Sequence, residues 1–272
     1  MNRIIFLIFL CVSSLSYGQV ENRWQPDSIY SNRKVKKIFV SQNSPKDLSE
    51  IVKFDKNGKI KRIEKYSTSY NRRTRKSKTI GLISNYQYDS KGFLIKIIDS
   101  TIYYDNSFGI DKKVFEYDSN NRILSRKYYK GKFEKPYNVT KYSYAPFTTT
   151  TTRSNDSIVM YQKVKEYDKN FYVKRFYGFY LEPKLKKIKT TIDGITNTVV
   201  YSDKTDLQRF VDDKTIKNSF DVNGRLIKSG IKSVFMNDRI NEFELKYEYY
   251  KNGLLKSVHG YVPRYFKYEF WE

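Results

Sequence analysis

The side chains that most often perform acid–base or nucleophilic chemistry are scarce in this sequence. His259 is its one histidine, so a catalytic triad or an imidazole metal site would have to rest on that residue alone. The one cysteine, Cys11, lies in an N-terminal segment that we expect to be removed. We therefore predict that the chain is not an enzyme. The alternative is a polysaccharide-active enzyme, for which the candidate carboxylate pairs are Asp212 with Asp213 and Asp203 with Asp206.

Known ligand-binding motifs are equally sparse. The turns "DKNG" and "DVNG" share spacing with calcium loops, but they lack the third acidic ligand and the closing Glu. The sequence contains no P-loop, no G-x-S-x-G and no H-E-x-x-H motif. We therefore predict no catalytic residue, no metal site and no cofactor.

Two basic clusters are the remaining candidates for a binding site. "NRRTRKSK" (71–78) and "KLKKIK" (184–189) lie in a chain rich in Tyr and Phe, and cations interleaved with aromatic rings suit polyanions that also stack. The alternative is that edge-strand lysines keep sheets from pairing end to end. The candidate polyanion-binding residues are Arg72, Arg73, Arg75, Lys76, Lys78, Lys184, Lys186 and Lys187.

The net charge of +23 points to acidic partners. For an exported protein these are an acidic glycan, a lipid surface or an envelope protein, with nucleic acid less favoured. The alternative is compositional: A/T-rich codons enrich Lys, Asn, Ile, Tyr and Phe together, and the cations then form a solvated face.

The N-terminus predicts export. Arg3 precedes an apolar run, and small residues at Ser16 and Gly18 suit signal-peptidase cleavage, so we expect residues 1–18 to be a signal peptide. Residues 19–45 then form a lead-in segment, and 46–272 form one domain. After cleavage no transmembrane segment is expected, and the predicted location is the periplasm, the outer-membrane surface or the extracellular space.

A turn motif recurs six times and dominates the remaining chain. An aromatic residue precedes the motif's first position, an aliphatic residue follows it by five, and polar residues stand two before and seven after it. The first positions are Asp55, Asp89, Asp118, Asp168, Asp221 and Tyr250.

This pattern predicts a β-hairpin of fixed register. Asp accepts backbone N–H groups within a turn, and Gly or Asn tolerates the left-handed conformation that closes it. The third position after the first is Gly or Asn in every copy but one, where Phe171 stands. There we expect the neighbouring Asn170 to adopt that conformation instead. The flanking aromatic and aliphatic residues should pair across the hairpin.

The predicted fold class is all-β: an extended antiparallel meander or open solenoid-like sheet built of repeated β-hairpins, with a closed barrel as the alternative. Degraded copies are expected around Tyr144 and Tyr201. The β-branched run 148–152 predicts a strand, as does the alternation in "RYFKYEFWE" at the C-terminus. One short helical turn is predicted within 44–53.

The copies "YDSKGFL", "YDSNNRI" and "FDVNGRL" resemble the Tyr-Asp (YD) repeats of the Rhs family. That resemblance implies β-sheet strips and a cell-envelope setting, and it implies no activity, because the matching residues are turn and core residues. The intervals of about 30 residues are longer than the family's. We therefore expect a binding or structural role, with an accessory part of a toxin or surface-assembly system as a further alternative.

Overall fold

The computed structural model describes residues 24–71, 75–103, 107–155, 158–169, 171–183, 187–192, 195–200, 205–235 and 239–272, with side chains described outside 68–78, 155–160, 179–212 and 235–238. Within these residues one short helix precedes eighteen β-strands. The helix is α1 (Asp27–Asn32). The strands are β1 (Val35–Gln42), β2 (Leu48–Phe54), β3 (Ile60–Asn71), β4 (Arg75–Tyr88), β5 (Leu94–Ile102), β6 (Phe108–Tyr117), β7 (Ile123–Lys130), β8 (Asn138–Ala145), β9 (Thr148–Asn155), β10 (Ile158–Tyr167), β11 (Val173–Pro183), β12 (Lys187–Ile192), β13 (Ile195–Val200), β14 (Thr205–Phe220), β15 (Leu226–Phe235), β16 (Arg239–Tyr249), β17 (Leu255–His259) and β18 (Arg264–Phe270).

The main sheet closes on itself, which corrects the prediction of an open meander or solenoid. Its order is β1-β18-β17-β16-β15-β14-β11-β10-β9-β8-β7-β6-β5-β4-β3-β2, and β2 returns to β1 to form a closed barrel, the predicted alternative. β1 lies in the lead-in segment and pairs antiparallel with both β2 and β18. Closure satisfies the backbone groups that an open sheet would leave unpaired at both edges. β12 and β13 form a separate two-stranded sheet.

Several local predictions have clear outcomes. The threonine run lies in β9, and the C-terminal strand is β18. The helical turn predicted within 44–53 is wrong, because β2 begins at Leu48 and the helix lies earlier, at 27–32. A hairpin forms at Tyr144, where β8 pairs with β9. The candidate copy around Tyr201 lies outside the described residues.

The chain divides into two compact units, which we call the terminal unit (Met1–Pro136 with Tyr247–Glu272) and the central unit (Tyr137–Lys246). In the terminal unit, α1 packs on one face of the sheet, where Tyr30 is fully buried and its ring centroid lies 4.8 Å from that of Phe54. A Cβ on Gly58 would lie 2.5 Å from the carbonyl oxygen of Asp27. The turn glycine is therefore required for the helix to approach this closely.

The motif copies form the predicted hairpins. In each copy whose pairing is described, the aromatic residue before the first position faces the aliphatic residue five after it. The register shifts by one residue between this pair and the next pair away from the turn. These pairs are Phe54 with Ile60, Tyr88 with Leu94, Tyr117 with Ile123, Tyr167 with Val173 and Phe220 with Leu226.

The motif aspartates bind their own turns. Asp118 Oδ1 accepts hydrogen bonds from the backbone N–H groups of Asn120 and Arg122, each at 2.9 Å. Asp221 repeats this geometry with Asn223 and Arg225. These carboxylates accept hydrogen bonds within their own turns, as the pattern predicted.

Phe171 corrects one detail of that pattern. We expected Asn170 to take the left-handed conformation, but Phe171 itself has φ 62°, close to the 61° of Asn121 at the same position. The hydrogen bond from Phe171 N–H to the Asp168 carbonyl, 3.0 Å long, matches the bond in the other copies and holds the turn type. The turn geometry thus overrides the side-chain preference.

Candidate functional site

The basic clusters predicted from the sequence fall where side chains are not described. Arg72, Arg73, Lys184 and Lys186 lie outside the described residues. The backbones of Arg75, Lys76 and Lys78 belong to β4, and that of Lys187 belongs to β12. Asn71 pairs with Arg75, so the first cluster includes residues of the paired ends of β3 and β4. Its role as a polyanion site stays a prediction.

His259 has polar partners in the terminal unit but lacks the order of a catalytic triad. Its Nε2 lies 2.9 Å from Ser257 Oγ and 3.7 Å from Glu248 Oε1, while Ser257 Oγ donates to Glu248 Oε2 at 2.9 Å. In a triad the carboxylate binds the imidazole nitrogen that does not face the hydroxyl. Here both partners meet the same nitrogen and Ser257 is 2% exposed, so this cluster is not arranged for nucleophilic attack.

Of the adjacent carboxylates Asp212 and Asp213, both in β14, the structure describes the side chain of Asp213. Asp213 accepts two hydrogen bonds from the Arg175 guanidinium, at 3.1 and 2.9 Å. The side chains of Asp203, Asp206 and Asp212 lie outside the described residues.

Within the described residues we compared two further kinds of site, metal-ligand clusters and cavities. No group of three or more His, Cys, Asp or Glu side chains among them could hold a metal ion. A pocket in the terminal unit holds about 30 Å³, which is room for roughly two water molecules. It lies beside Lys59, Tyr88 and Tyr117, between successive motif turns.

A cationic and aromatic surface instead emerges on one face of the central unit's sheet. Cross-strand pairing places Tyr144, Thr149, Lys165, Phe176 and Lys214 in one continuous row across β8, β9, β10, β11 and β14. Adjacent strands lie about 4.8 Å apart, so this row extends for roughly 19 Å. We call this surface the basic aromatic face; its charged and aromatic members are Tyr142, Tyr144, Arg153, Tyr161, Lys163, Lys165, Phe176 and Lys214.

Ring and ammonium groups meet at the centre of this face. Lys163 Nζ lies 5.1 Å from the ring centroid of Tyr161 and 5.0 Å from that of Phe176. Lys214 Nζ lies 6.0 Å from the same Phe176 ring. These distances are those of cation–π contacts. Gly178 lacks the Cβ that would stand 2.4 Å from Tyr161 Oη, so the Tyr161 ring can lie across the neighbouring strand.

The two faces of this sheet differ in charge. On the face opposite the basic aromatic face, acids are paired with cations: Arg175 with Asp213, Lys228 with Glu244 and Lys232 with Glu242. On the basic aromatic face, the charged members whose side chains the structure describes are cations: Arg153, Lys163, Lys165 and Lys214. These described cations should give their part of the face a positive potential.

Alternation in the sequence could have indicated parts of this surface. Tyr161, Lys163 and Lys165 alternate within "YQKVKEY", and Tyr142 and Tyr144 alternate within "KYSY". Period-2 spacing puts each set on one face of its strand. It does not say that β8, β9, β10, β11 and β14 are neighbours with those faces aligned.

Both faces of the terminal unit's sheet carry ion pairs. On one face Lys53 Nζ lies 2.6 Å from Glu64 Oε1. On the other, Asp99 accepts hydrogen bonds from Ser84 at 2.6 Å and Lys113 at 2.5 Å. Among the described residues, no helix has the length and hydropathy needed to cross a bilayer.

Comparisons with known proteins leave the family open. No protein-family model matches the sequence, and no curated protein matches it. Among solved structures, the chain is similar to a porin-like protein from Bacteroides uniformis ATCC 8492, with a TM-score of 0.45 and 8% identity over 87% of this chain and 97% of that one. It is also similar to TcdB2-TccC3 without its hypervariable C-terminal region, with a TM-score of 0.17 and 11% identity over 78% of this chain and 14% of that one. The closed-barrel assignment therefore rests on the strand order of this chain, and the resemblance to YD repeats stays a prediction.

Proposed function

We propose that this chain is an exported binding protein of the cell envelope whose basic aromatic face holds an acidic glycan. The observation that carries the proposal is the position of Lys163, within 5.1 Å of the rings of both Tyr161 and Phe176. An ammonium group beside ring faces suits a ligand that carries carboxylate or sulfate groups on sugar rings. The predicted signal peptide supports the envelope setting.

The shape of the surface favours an extended ligand. The row from Tyr144 to Lys214 crosses five strands without an intervening loop. A row of roughly 19 Å can contact several successive sugars of one chain, each adding a weak charged or stacking contact. The binding energy would then be distributed along the polymer, as in other proteins that combine a positive groove with stacking platforms.

The test is titration of residues 19–272 with oligogalacturonate, an acidic oligosaccharide, and with a neutral maltooligosaccharide of equal length, by calorimetry at low and high salt. We expect the acidic ligand to bind, its affinity to fall as salt screens the ammonium groups, and the neutral ligand to bind at least about tenfold more weakly. Equal binding of the two ligands, or none by the acidic one, would contradict the proposal.

A further inference from the structure

Two phenylalanines occupy backbone positions that disfavour them. Phe147, between β8 and β9, has φ 55°, and Phe171, between β10 and β11, has φ 62°. At the position of Phe171 the other motif copies carry glycine or asparagine, which adopt the left-handed region at lower cost. Strained residues of this kind often cluster at functional sites.

The two residues form one projecting apolar feature. Their ring centroids lie 5.7 Å apart with an interplanar angle of 16°, so the rings are stacked. Phe147 is 47% exposed and Phe171 is 41% exposed, despite the stacking. The backbone N–H of Tyr167 donates to the carbonyl oxygen of Phe147 at 2.9 Å, which ties the first tip to the strand that leads into the second.

The surroundings of the pair are apolar and cationic. Val222 is fully exposed on the next hairpin tip, which is joined to the Phe171 turn through the rings of Tyr172 and Phe220, 4.9 Å apart. Lys169 and Lys174 are exposed on either side of Phe171. The motif aspartates of both turns accept backbone N–H groups of their own turns. The tips thus present apolar side chains bordered by ammonium groups.

We propose that Phe147 and Phe171 dock this protein onto the surface of an anionic lipid bilayer. Hairpin tips are convex and do not enclose a small ligand, whereas the interfacial region of a bilayer accepts separate apolar side chains that project into it. Lys169 and Lys174 lie where headgroup phosphates would meet them, and the net charge of +23 attracts the whole chain to such a surface. This contact is peripheral and uses residues distinct from the basic aromatic face.

The test is co-sedimentation of residues 19–272 with vesicles of phosphatidylcholine alone and of phosphatidylcholine with phosphatidylglycerol. We expect binding to the anionic vesicles only, weakened about tenfold in Phe147→Ser/Phe171→Gly. Phe133→Ser is the matched control, because Phe133 is 71% exposed on a different loop and should not affect binding. Wild-type binding by the double variant, equal loss in the control, or no binding of the wild type would each overturn the proposal.

Loss through misfolding is distinguishable from loss of docking. Phe171→Gly places the preferred residue at a left-handed position, so it should leave the hairpin intact. The double variant should therefore keep the circular dichroism spectrum and the oligogalacturonate affinity of the wild type. If oligogalacturonate fails to bind even the wild type while vesicle docking persists, the glycan proposal fails and the lipid proposal stands.

Discussion

Tyr117 donates a hydrogen bond from its hydroxyl to the backbone carbonyl oxygen of Leu94 over 2.8 Å, and so links one motif copy to the copy before it. Tyr88 makes the same bond to Ile60, five residues after the preceding motif aspartate, also at 2.8 Å. A side chain from the preceding turn also packs against each tyrosine ring. Lys59 Nζ lies 5.3 Å from the ring centroid of Tyr88, and the ring centroid of Phe93 lies 5.2 Å from the ring centroid of Tyr117. The motif therefore encodes contact between neighbouring hairpins as well as the hairpin itself.

The Tyr117 hydroxyl should contribute to stability and to its dependence on pH. We expect Tyr117→Phe to lower the free energy of unfolding at pH 7 by about 1 kcal/mol, because one hydrogen bond is lost. Burial, assisted by the charge of Asp89, raises the pKa of Tyr117 from 10.0 to about 12. Above pH 10 the unfolded chain releases this proton before the folded chain does, so the contribution is present below pH 10 and is lost as pH rises through 12.

Urea unfolding of wild type and Tyr117→Phe between pH 7 and 11.5 measures both effects. The difference between them should shrink as pH rises above 10. Tyr103→Phe removes a hydroxyl from a half-exposed tyrosine of the same unit and should leave the profile unchanged. A Tyr117→Phe profile parallel to that of the wild type would contradict the burial of this hydroxyl.

Substitution of a glycine at the third motif position should lower stability through backbone strain alone. Gly224 has φ 75°, and no atom lies within 4 Å of the Cβ that alanine would add, so Gly224→Ala should cost about 1–2 kcal/mol through strain. Gly230 lies in β15 without a left-handed φ, and its added Cβ would meet its nearest atom at 4.0 Å. Gly230→Ala should therefore be neutral or stabilising by about 0.5–1 kcal/mol. Thermal unfolding of both variants measures these changes in stability. Equal losses of stability in the two variants would contradict the left-handed conformation of Gly224.

The Asp118 turn should be sensitive to acid. Burial raises the pKa of Asp118, but the backbone N–H and guanidinium of Arg122 and the N–H of Asn120 outweigh it and hold that pKa below its usual 3.8. A carboxyl with a lowered folded pKa contributes stability above its unfolded pKa and loses it as pH falls through the folded value. Asp118→Asn should thus destabilise at pH 7 and match the wild type more closely below pH 3. Glu134→Gln removes an exposed carboxyl as a control, and denaturant unfolding at both pH values gives the comparison.

Binding of acidic glycan should depend on which face of the central sheet carries the cations. We expect Lys163→Gln/Lys214→Gln to weaken oligogalacturonate binding about tenfold and to flatten its salt dependence. Lys141→Gln/Lys217→Gln removes equal charge from the opposite face, since Lys217 lies three residues from Lys214 on the same strand. Calorimetric titrations of both variants separate a defined surface from overall charge. Equal weakening would mean that net charge alone attracts the ligand.

Much of the local structure could be predicted from the sequence. Asp118, Asn121 and the pair Tyr117 with Ile123 lie within seven residues of one another, and their interactions are complete within one hairpin. Because such contacts need little chain closure, residue type and spacing suffice to determine turn, register and the all-β class. The left-handed Phe171 does not follow from side-chain preference, because the turn geometry fixes that conformation at the third motif position even for a phenylalanine.

The barrel, the helix contact and the basic aromatic face were decided by tertiary structure. Closure pairs Val35 with Phe270, and Gln25 binds the turn at Gly253 through a hydrogen bond of 2.9 Å. The basic aromatic face exists because β11 pairs with β14 and not with β12, which aligns Phe176 with Lys214. These pairings join segments far apart in the chain, so their choice depends on which edges and faces can be satisfied together. Spacing within one hairpin contains no information about that choice.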